Sequence, residues 1–193
     1  MREGIGRFGA GVIACAVLVT AAGRAWPASE QGGGKSYELT TGWTLLKEGD
    51  ADGSVEQDAK HPAREAEHLL RIQATKTAGP GKGRVGATSG TLIEVREGQW
   101  YDVSFSATTE RGSIGLVFSL EGASGKVLAR TTLPEIGRGR GPRGGGAPEA
   151  AWTKYTVALH ARGSDAKAHL VITPIEPTNV WIEGLKLTQR AAP

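Results

Sequence analysis

Few residues of the 193-residue chain have the types and spacing that catalysis requires. The four histidines (His61, His68, His160 and His169) lack the H-E-x-x-H spacing of a zinc protease, and no G-x-S-x-G turn presents a nucleophilic serine. The segment GPGKGRVG at 79–86 lacks the Gly-Lys-Ser/Thr of a phosphate-binding loop and leads into a strand. A glycosidase needs two carboxyl groups across a cleft, and Glu121 has no obvious partner. The sequence therefore predicts a non-catalytic protein.

The elements that would position any binding residues are β-strands, because apolar residues recur with a period of two. In WYDVSFSAT (100–108), Tyr101, Val103 and Phe105 share one face. The same alternation recurs in the segments 113–121, 154–161, 168–173 and 180–187, and further strands are expected at 43–48, 54–58, 68–76, 83–88 and 91–95. About nine to eleven short strands separated by turns are typical of an all-β sandwich or barrel.

Two local breaks interrupt this pattern. The apolar phase shifts at Glu183-Gly184, which predicts a β-bulge there. The segment HPAREAEHLL (61–70) is the one helix candidate, and the strand that follows it leaves room for a helical turn or two at most.

The N-terminus has the pattern of a secretory signal. Arg2 and Arg7 precede an apolar run at 8–22, and Gly23 and Ala25 are small residues at a cleavage site. We expect a cleaved signal peptide at 1–25, a flexible leader at 26–36 and a β-sandwich domain at 37–190, and hence a secreted, periplasmic or envelope protein without a membrane span in the mature chain. The alternatives are an uncleaved anchor and a lipoprotein with its lipid on Cys15.

The Gly- and Arg-rich run GRGRGPRGGGAPEA (137–150) resembles RNA-binding segments, but the charge of the remaining chain does not. Without residues 1–25, the chain has 20 basic and 19 acidic residues, and three of the basic ones lie in this run. Nucleic-acid-binding domains carry a basic face across the fold. We therefore predict a flexible loop and no nucleic-acid partner, and the alternative is an electrostatic contact with an acidic polymer or an envelope surface.

The ordered series of motifs resembles a known family. It consists of YELTTGW, HLLRIQA, IEVREGQWYDVSFSAT, IGLVFSLEGASGKVLA, AWTKYTVAL and AHLVITPI with VWIEGLKL, and it spans about residues 36–188. This series resembles the CenC-like carbohydrate-binding modules of families four and nine. The resemblance implies a jelly-roll sandwich of the galactose-binding-like type with two antiparallel sheets, and it implies that Trp43 and Trp152 are largely buried.

The resemblance also implies a structural calcium ion. Many members of the family bind calcium between an N-terminal acidic residue and an acid of the closing strand, positions that Glu38 and Glu183 occupy here. Family members more often have Asp at the second position. The alternative is two solvated acids.

The resemblance implies that one sheet forms a sugar-binding groove. Outward positions of the matching strands include Arg84, Glu121, His169 and Thr173, whose side chains could form hydrogen bonds with a glycan. No Trp or Tyr occurs among these outward positions, although aromatic stacking supplies much of the affinity for sugars in such grooves. Trp100 and Trp181 point outward by alternation and are the candidate stacking residues. The alternative for each ring is packing under a loop or against the long arm of the chain.

Two functions remain open at this point. The first is a secreted, non-catalytic module that binds a polysaccharide or glycan through a shallow groove. The second is a jelly-roll interaction protein of the envelope or an extracellular complex, in which glycan binding has been lost. The ordered motifs favour the first function, and the missing aromatic residues favour the second.

Overall fold

The computed structural model describes residues 34–61, 67–77, 83–110, 113–136 and 152–190. They belong to one compact unit, Gly32–Pro193, and contain β-strands but no helix. The predicted signal peptide at 1–25, most of the leader at 26–36 and the Gly/Arg run at 137–150 lie outside the described residues. No helix within the described ranges is long and apolar enough to cross a membrane.

The described residues form twelve strands, slightly more than the alternation predicts. In chain order they are β1 Ser36–Glu38, β2 Thr44–Lys47, β3 Asp52–Glu56, β4 Leu70–Lys76, β5 Val85–Thr88, β6 Ile93–Val95, β7 Trp100–Thr109, β8 Ile114–Glu121, β9 Val127–Ile136, β10 Thr153–His160, β11 Asp165–Pro174 and β12 Thr178–Gln189.

The strands form two antiparallel sheets, which confirms the predicted jelly-roll sandwich. Sheet I has the order β10-β7-β12-β4-β3, with β1 paired to β12. Sheet II has the order β2-β5-β11-β8-β9, with β6 paired to β11. Apart from the consecutive pairs β3–β4 and β8–β9, neighbouring strands are distant in sequence, so their register depends on packing across the sandwich.

The core lies between the sheets and consists of the residues that the alternation places on one face. Tyr101, Val103 and Phe105 of β7 are buried, and the rings of Phe105 and Phe118 bring β7 of sheet I against β8 of sheet II, with centroids 5.1 Å apart. The buried Tyr101 hydroxyl accepts a hydrogen bond from the backbone N–H of Arg96 (2.9 Å) and donates one to the carbonyl of Glu94 (3.2 Å). These bonds satisfy a polar group that would be costly to bury alone.

The predicted bulge is confirmed. The pairing of β12 with β7 shifts register between Glu183 and Lys186, and Gly184 has a φ of 60°. A left-handed φ favours glycine, which lacks a Cβ. The helix candidate at 61–70 lies partly outside the described residues, and β4 begins at its last residue, Leu70.

Candidate functional site

The candidate site lies on the outer face of sheet II. Leu116, Phe118 and Leu120 of β8 belong to the core, so the alternating residues Val117, Ser119 and Glu121 point away from it. The same alternation on β11 directs Val171 and Thr173 outward.

This face carries a cavity of about 460 Å³. It is lined by Glu48, Thr77, Gly83, Arg84, Val85, Val117, Ser119, Glu121, Val127, Arg130, Thr173, Pro174 and Ile175. Three of the residues predicted to contact a glycan, Arg84, Glu121 and Thr173, therefore meet in one place. Val127 (45% exposed) and Ile175 (46% exposed) give the cavity an aliphatic rim.

Arg84 is the centre of the polar part of this cavity. Its guanidinium bonds both carboxylate oxygens of Glu121, through Nη1 to Oε1 and through Nη2 to Oε2 (2.8 Å). It also bonds Glu48, through Nε to Oε2 (2.8 Å) and through Nη2 to Oε1 (3.0 Å). Such two-point contacts fix the plane of the guanidinium as well as its position.

The two carboxylates differ in their surroundings. The side chain of Glu121 is only 8% exposed, and the Ser119 hydroxyl donates a 2.6 Å hydrogen bond to its Oε1. The side chain of Glu48 is 48% exposed. The hydrogen bond from Arg84 lowers the pKa of Glu48, and hydrogen bonds to Glu121 and then to Glu48 raise the pKa of Arg84. Glu48 and Arg84 are therefore charged at neutral pH.

Arg130 is the second cation of the cavity. It stands beside Ser119 in the pairing of β9 with β8, it is exposed, and its side chain forms no ion pair with the described residues. Two carboxylates and two guanidinium groups thus balance in charge. The cavity offers carboxylate acceptors, hydroxyls and one free guanidinium, which suits a ligand rich in hydroxyl groups.

His169 lies on the same face but does not line the cavity. It stands opposite Glu121 in the pairing of β11 with β8, and its Nδ1 is 2.7 Å from the carbonyl oxygen of Ser89. The other ring nitrogen could still meet a ligand that extends beyond the cavity, so its role in glycan binding stays a prediction.

Trp100 lies on the other sheet, away from the cavity. Its ring is 42% exposed, stacks on His160 with centroids 4.6 Å apart and has the Arg190 guanidinium 5.3 Å from its centroid. His160 and Arg190 come from opposite sides of β7, so they cover the two ring faces that a sugar would need. The role of Trp100 in glycan binding stays a prediction. The contacts of its ring with His160 and Arg190 argue against that role.

Trp181 takes the packed arrangement that the sequence offered as the alternative to an exposed stacking residue. Trp181 points away from the core, as alternation requires, but it is only 3% exposed. It packs with Ala59, Leu69 and Trp152 in a separate apolar cluster, and His61 meets its ring edge to face at 4.8 Å. A buried ring has no free face for a sugar.

The calcium site on Glu38 and Glu183 stays a prediction. Glu38 forms an ion pair with Lys186 at 2.9 Å, so a cation already neutralises one proposed ligand. Within the described ranges, no group of three or more His, Cys, Asp or Glu residues is arranged to hold a metal. Calcium takes six to eight oxygens, and these two acids alone do not supply them. Melting temperatures in calcium and in a chelator would test this prediction.

Sequence reasoning missed several cavity residues. Glu48 lies beside Arg84 because the backbone hydrogen bonding of β2 with β5 continues to these two residues. The two residues are 36 positions apart in the sequence. Arg130, Val127 and Ile175 were also missed. The alternation of β9 carried a signal for Arg130, since it faces outward beside Ser119.

The chain matches solved structures, but it matches no family model and no curated protein by sequence. The arabinose-bound structure of the MgGH51 α-L-arabinofuranosidase matches with a TM-score of 0.54 and 22% identity. The match covers 76% of this chain but only 23% of the arabinofuranosidase, so the chain is similar to about a quarter of that protein.

Other matches include carbohydrate-binding modules. The family 11 module from Clostridium thermocellum, in complex with a β-1,3-1,4-mixed-linked tetrasaccharide, has a TM-score of 0.48 and 11% identity over 81% of this chain and 96% of the module. A family 4 module has a TM-score of 0.47 and 13% identity over 77% of this chain and 86% of that chain. Of the three matches described, that with the arabinofuranosidase has a TM-score above 0.5, and at 22% identity it shows a likeness of fold alone.

Proposed function

We propose that the chain is a non-catalytic protein that binds a glycan in the cavity on the outer face of sheet II. The observation that carries this proposal is the meeting of Arg84, Glu48 and Glu121 with an aliphatic rim in one cavity of about 460 Å³. Ligand sites combine apolar contact area with a few fixed polar groups in this way.

The polar groups suit the hydroxyl groups of a sugar. Each carboxylate oxygen can accept more than one hydrogen bond, so Glu48 and Glu121 retain acceptor capacity after bonding Arg84. Thr173 and the free Arg130 guanidinium add donors. Because Arg84 is fixed at two carboxylates, these acceptors are held in place before a ligand arrives, which lowers the entropic cost of binding.

The apolar part of the cavity suits the C–H faces of sugar rings. Val117, Val127 and Ile175 supply this contact in place of a tryptophan or tyrosine. Aliphatic side chains lack the flat π-surface of an aromatic ring. We therefore expect weaker binding than an aromatic platform would provide.

The same groups argue against hydrolysis. A glycosidase needs one carboxyl group that is protonated at the working pH, to act as general acid. Arg84 lowers the pKa of Glu48 and bonds Glu121 as well. Glu48 is therefore not poised to donate a proton, and both oxygens of Glu121 are already bonded to Arg84. The proposal includes export of the protein, which depends on the pattern at residues 1–25.

Isothermal titration calorimetry of the domain starting at residue 26 tests the proposal, because no tryptophan lines the cavity to report binding by fluorescence. The panel is xylan, mixed-linkage β-glucan and arabinan, each with its own hexasaccharide. We expect saturable binding of one glycan, weakened about tenfold or more by Arg130→Ala, as loss of a charged hydrogen bond implies. The matched control is Lys154→Ala, an exposed residue of β10 in sheet I, which should bind like the wild type.

The second candidate function is that of an extracellular or envelope interaction protein. It is favoured by one observation, that none of the cavity-lining residues is aromatic. A folded domain that melts cooperatively and releases no heat with any glycan of the panel would overturn glycan binding and support this alternative.

A further inference from the structure

The cavity on the outer face of sheet II contains one cation that no described carboxylate compensates. The charged residues among those that line it are Glu48, Arg84, Glu121 and Arg130. The first three are joined by hydrogen bonds of Arg84. Arg130 is exposed and forms neither an ion pair nor a side-chain hydrogen bond with the part of the chain that the structure describes. A ligand in the cavity therefore meets the positive charge of Arg130.

Arg84, the other cation of the cavity, is already engaged. Its Nε, Nη1 and Nη2 atoms all donate hydrogen bonds, two to Glu48 and two to Glu121. The side chain of Glu121 is only 8% exposed, so a ligand that drew Arg84 away would leave a shielded carboxylate without its cation. Loss of one member of a buried ion pair is strongly unfavourable. An anionic group of a ligand is therefore directed to Arg130.

The exposed acid and the uncompensated cation lie on opposite sides of the cavity. Glu48 directly follows β2 and bonds Arg84, which directly precedes β5, whereas Arg130 belongs to β9. Strands β11 and β8 lie between β5 and β9. Neighbouring strands are about 4.8 Å apart, so β5 and β9 are separated by roughly 14 Å. The cavity is thus polarised across the sheet, with a carboxylate at one side and a guanidinium at the other.

The chemistry of Arg130 suits a carboxylate better than a hydroxyl group. A guanidinium presents paired N–H donors in one plane, which match the two oxygens of a carboxylate. Such charge-assisted hydrogen bonds are about twice as strong as bonds between neutral groups. Val127 of the same strand also lines the cavity and gives a sugar ring apolar contact. A neutral sugar would leave the charge of Arg130 unmatched.

We propose that the cavity recognises an acidic sugar, a uronic acid residue whose carboxylate bonds Arg130 and whose hydroxyl groups donate to Glu48. This inference rests on the proposed function and names the class of glycan. The polarity of the cavity also sets the orientation of the sugar. The reverse orientation would bring the carboxylate of the sugar against that of Glu48, and like charges in contact are unfavourable.

The test compares acidic polysaccharides with their own neutral derivatives. Polygalacturonate, alginate and glucuronoxylan are each titrated by calorimetry, before and after carbodiimide activation and borohydride reduction. This treatment converts each carboxylate into a primary alcohol and leaves the linkages of the chain unchanged. We expect one acidic polymer to bind about tenfold or more tightly than its reduced form, as loss of a hydrogen bond between charged groups implies.

Variants at Arg130 assign the preference to this residue. Arg130→Gln should bind the acidic and the reduced polymer equally, and Arg130→Lys, which keeps the charge but not the paired donors, should retain part of the preference. The matched control is Lys154→Gln, which removes one positive charge from an exposed position of sheet I and should keep the wild-type preference. Attraction of an acidic polymer to the Gly/Arg run at 137–150 would persist in Arg130→Gln, so the variant separates the two sources.

Equal binding of an acidic polymer and its reduced form by the wild-type protein would overturn the inference and leave glycan binding intact. A preference for the acidic polymer that survives in Arg130→Gln would also overturn it. Absence of binding to these polymers and to the neutral panel, by a protein that melts cooperatively, would instead overturn the proposed function. Because Arg130 is exposed, its variants should fold, and their melting temperatures check this.

Discussion

Arg84 and Glu121 face each other across β11 and form a two-point ion pair, with Nη2 of Arg84 2.8 Å from Oε2 of Glu121. The two residues are 37 positions apart: Glu121 ends β8, and Arg84 directly precedes β5, a strand that does not pair with β8. The contact therefore links the two sides of sheet II over its central strand. It also neutralises a carboxylate that the surrounding side chains shield from water.

We expect Arg84→Ala to be strongly destabilising. The substitution leaves the Glu121 carboxylate nearly buried with only the Ser119 hydroxyl as a partner, and loss of one member of a buried pair costs about 3 kcal/mol. The free energy of unfolding from urea denaturation measures this cost. The matched control is Arg130→Ala, which removes a guanidinium of the same cavity that forms no ion pair with the part of the chain that the structure describes, and it should cost less than about 0.5 kcal/mol.

The Arg84–Glu121 coupling can be isolated by adding Glu121→Gln to Arg84→Ala. The double variant should be more stable than Arg84→Ala alone, because it removes the unpaired charge. Equal or lower stability of the double variant would show that the pair contributes packing and not charge compensation.

Much of the fold, and part of the site, could be predicted from local pattern. Alternation is a property of each strand by itself, so it correctly places Tyr101 inside and Arg84, Glu121 and Thr173 on one outer face. The pairing of Glu48 with Arg84 depends on which strands become neighbours, and alternation carries no information about that. The burial of Trp181 could be offered only as an alternative for a related reason, because the residues that cover it come from other segments of the chain.

The ion pair of Glu48 with Arg84 also predicts that the stability of the protein depends on pH. The pKa of Glu48 is lowered in the folded state, chiefly by its hydrogen bond to Arg84. A carboxyl group with a lowered pKa stabilises the folded state above its unfolded pKa, about 4.3 for glutamate, and this contribution is lost as the pH falls through the folded value. Melting temperatures should therefore fall with pH below about 4.5, and Glu48→Gln should reduce the steepness of that fall.

The expected difference between wild type and Glu48→Gln is small, because the Glu48 side chain is 48% exposed and solvent screens its interaction. The measurement is a series of melting curves from pH 6 down to about 3 at low ionic strength. Lys154→Ala serves as the control, since it changes an exposed residue of sheet I and leaves the ion pair of Glu48 with Arg84 intact. Parallel curves for Glu48→Gln and wild type would show that Glu48 contributes nothing to the acid response.

Substitution by alanine at two glycines of sheet II should destabilise the protein by different amounts. A Cβ at Gly86 would overlap the backbone carbonyl oxygen of Ile172, which cannot move without disturbing β11. A Cβ at Gly115 would lie 2.6 Å from Cδ1 of Ile175, the mobile end of an exposed side chain. We expect Gly86→Ala to cost about 3 kcal/mol and Gly115→Ala less than about 1 kcal/mol.

Gly115→Ala should also affect binding, because Ile175 lines the cavity and must shift to admit the new methyl group. Urea denaturation measures the stabilities, and calorimetry with the bound glycan measures the affinity. A Gly115→Ala variant with wild-type affinity would place the ligand away from Ile175.

The two tryptophans of sheet I that alternation assigns to the outside should behave differently on substitution. Trp100 is exposed between His160 and Arg190, so Trp100→Ala removes only a surface stack and should cost about 1 kcal/mol. Trp181 is 3% exposed, so Trp181→Ala leaves a cavity in its apolar cluster and should cost about 4 kcal/mol.

The same pair of variants separates the sheet II cavity from a site on sheet I. If the glycan binds on sheet II, Trp100→Ala keeps the wild-type affinity in calorimetry, and Trp181→Phe, which keeps an aromatic ring in the buried cluster, does so too. Loss of binding in Trp100→Ala, with the melting temperature little changed, would move the site to the outer face of sheet I. It would also require His160 and Arg190 to leave the tryptophan ring when the sugar binds, because they now cover both of its faces.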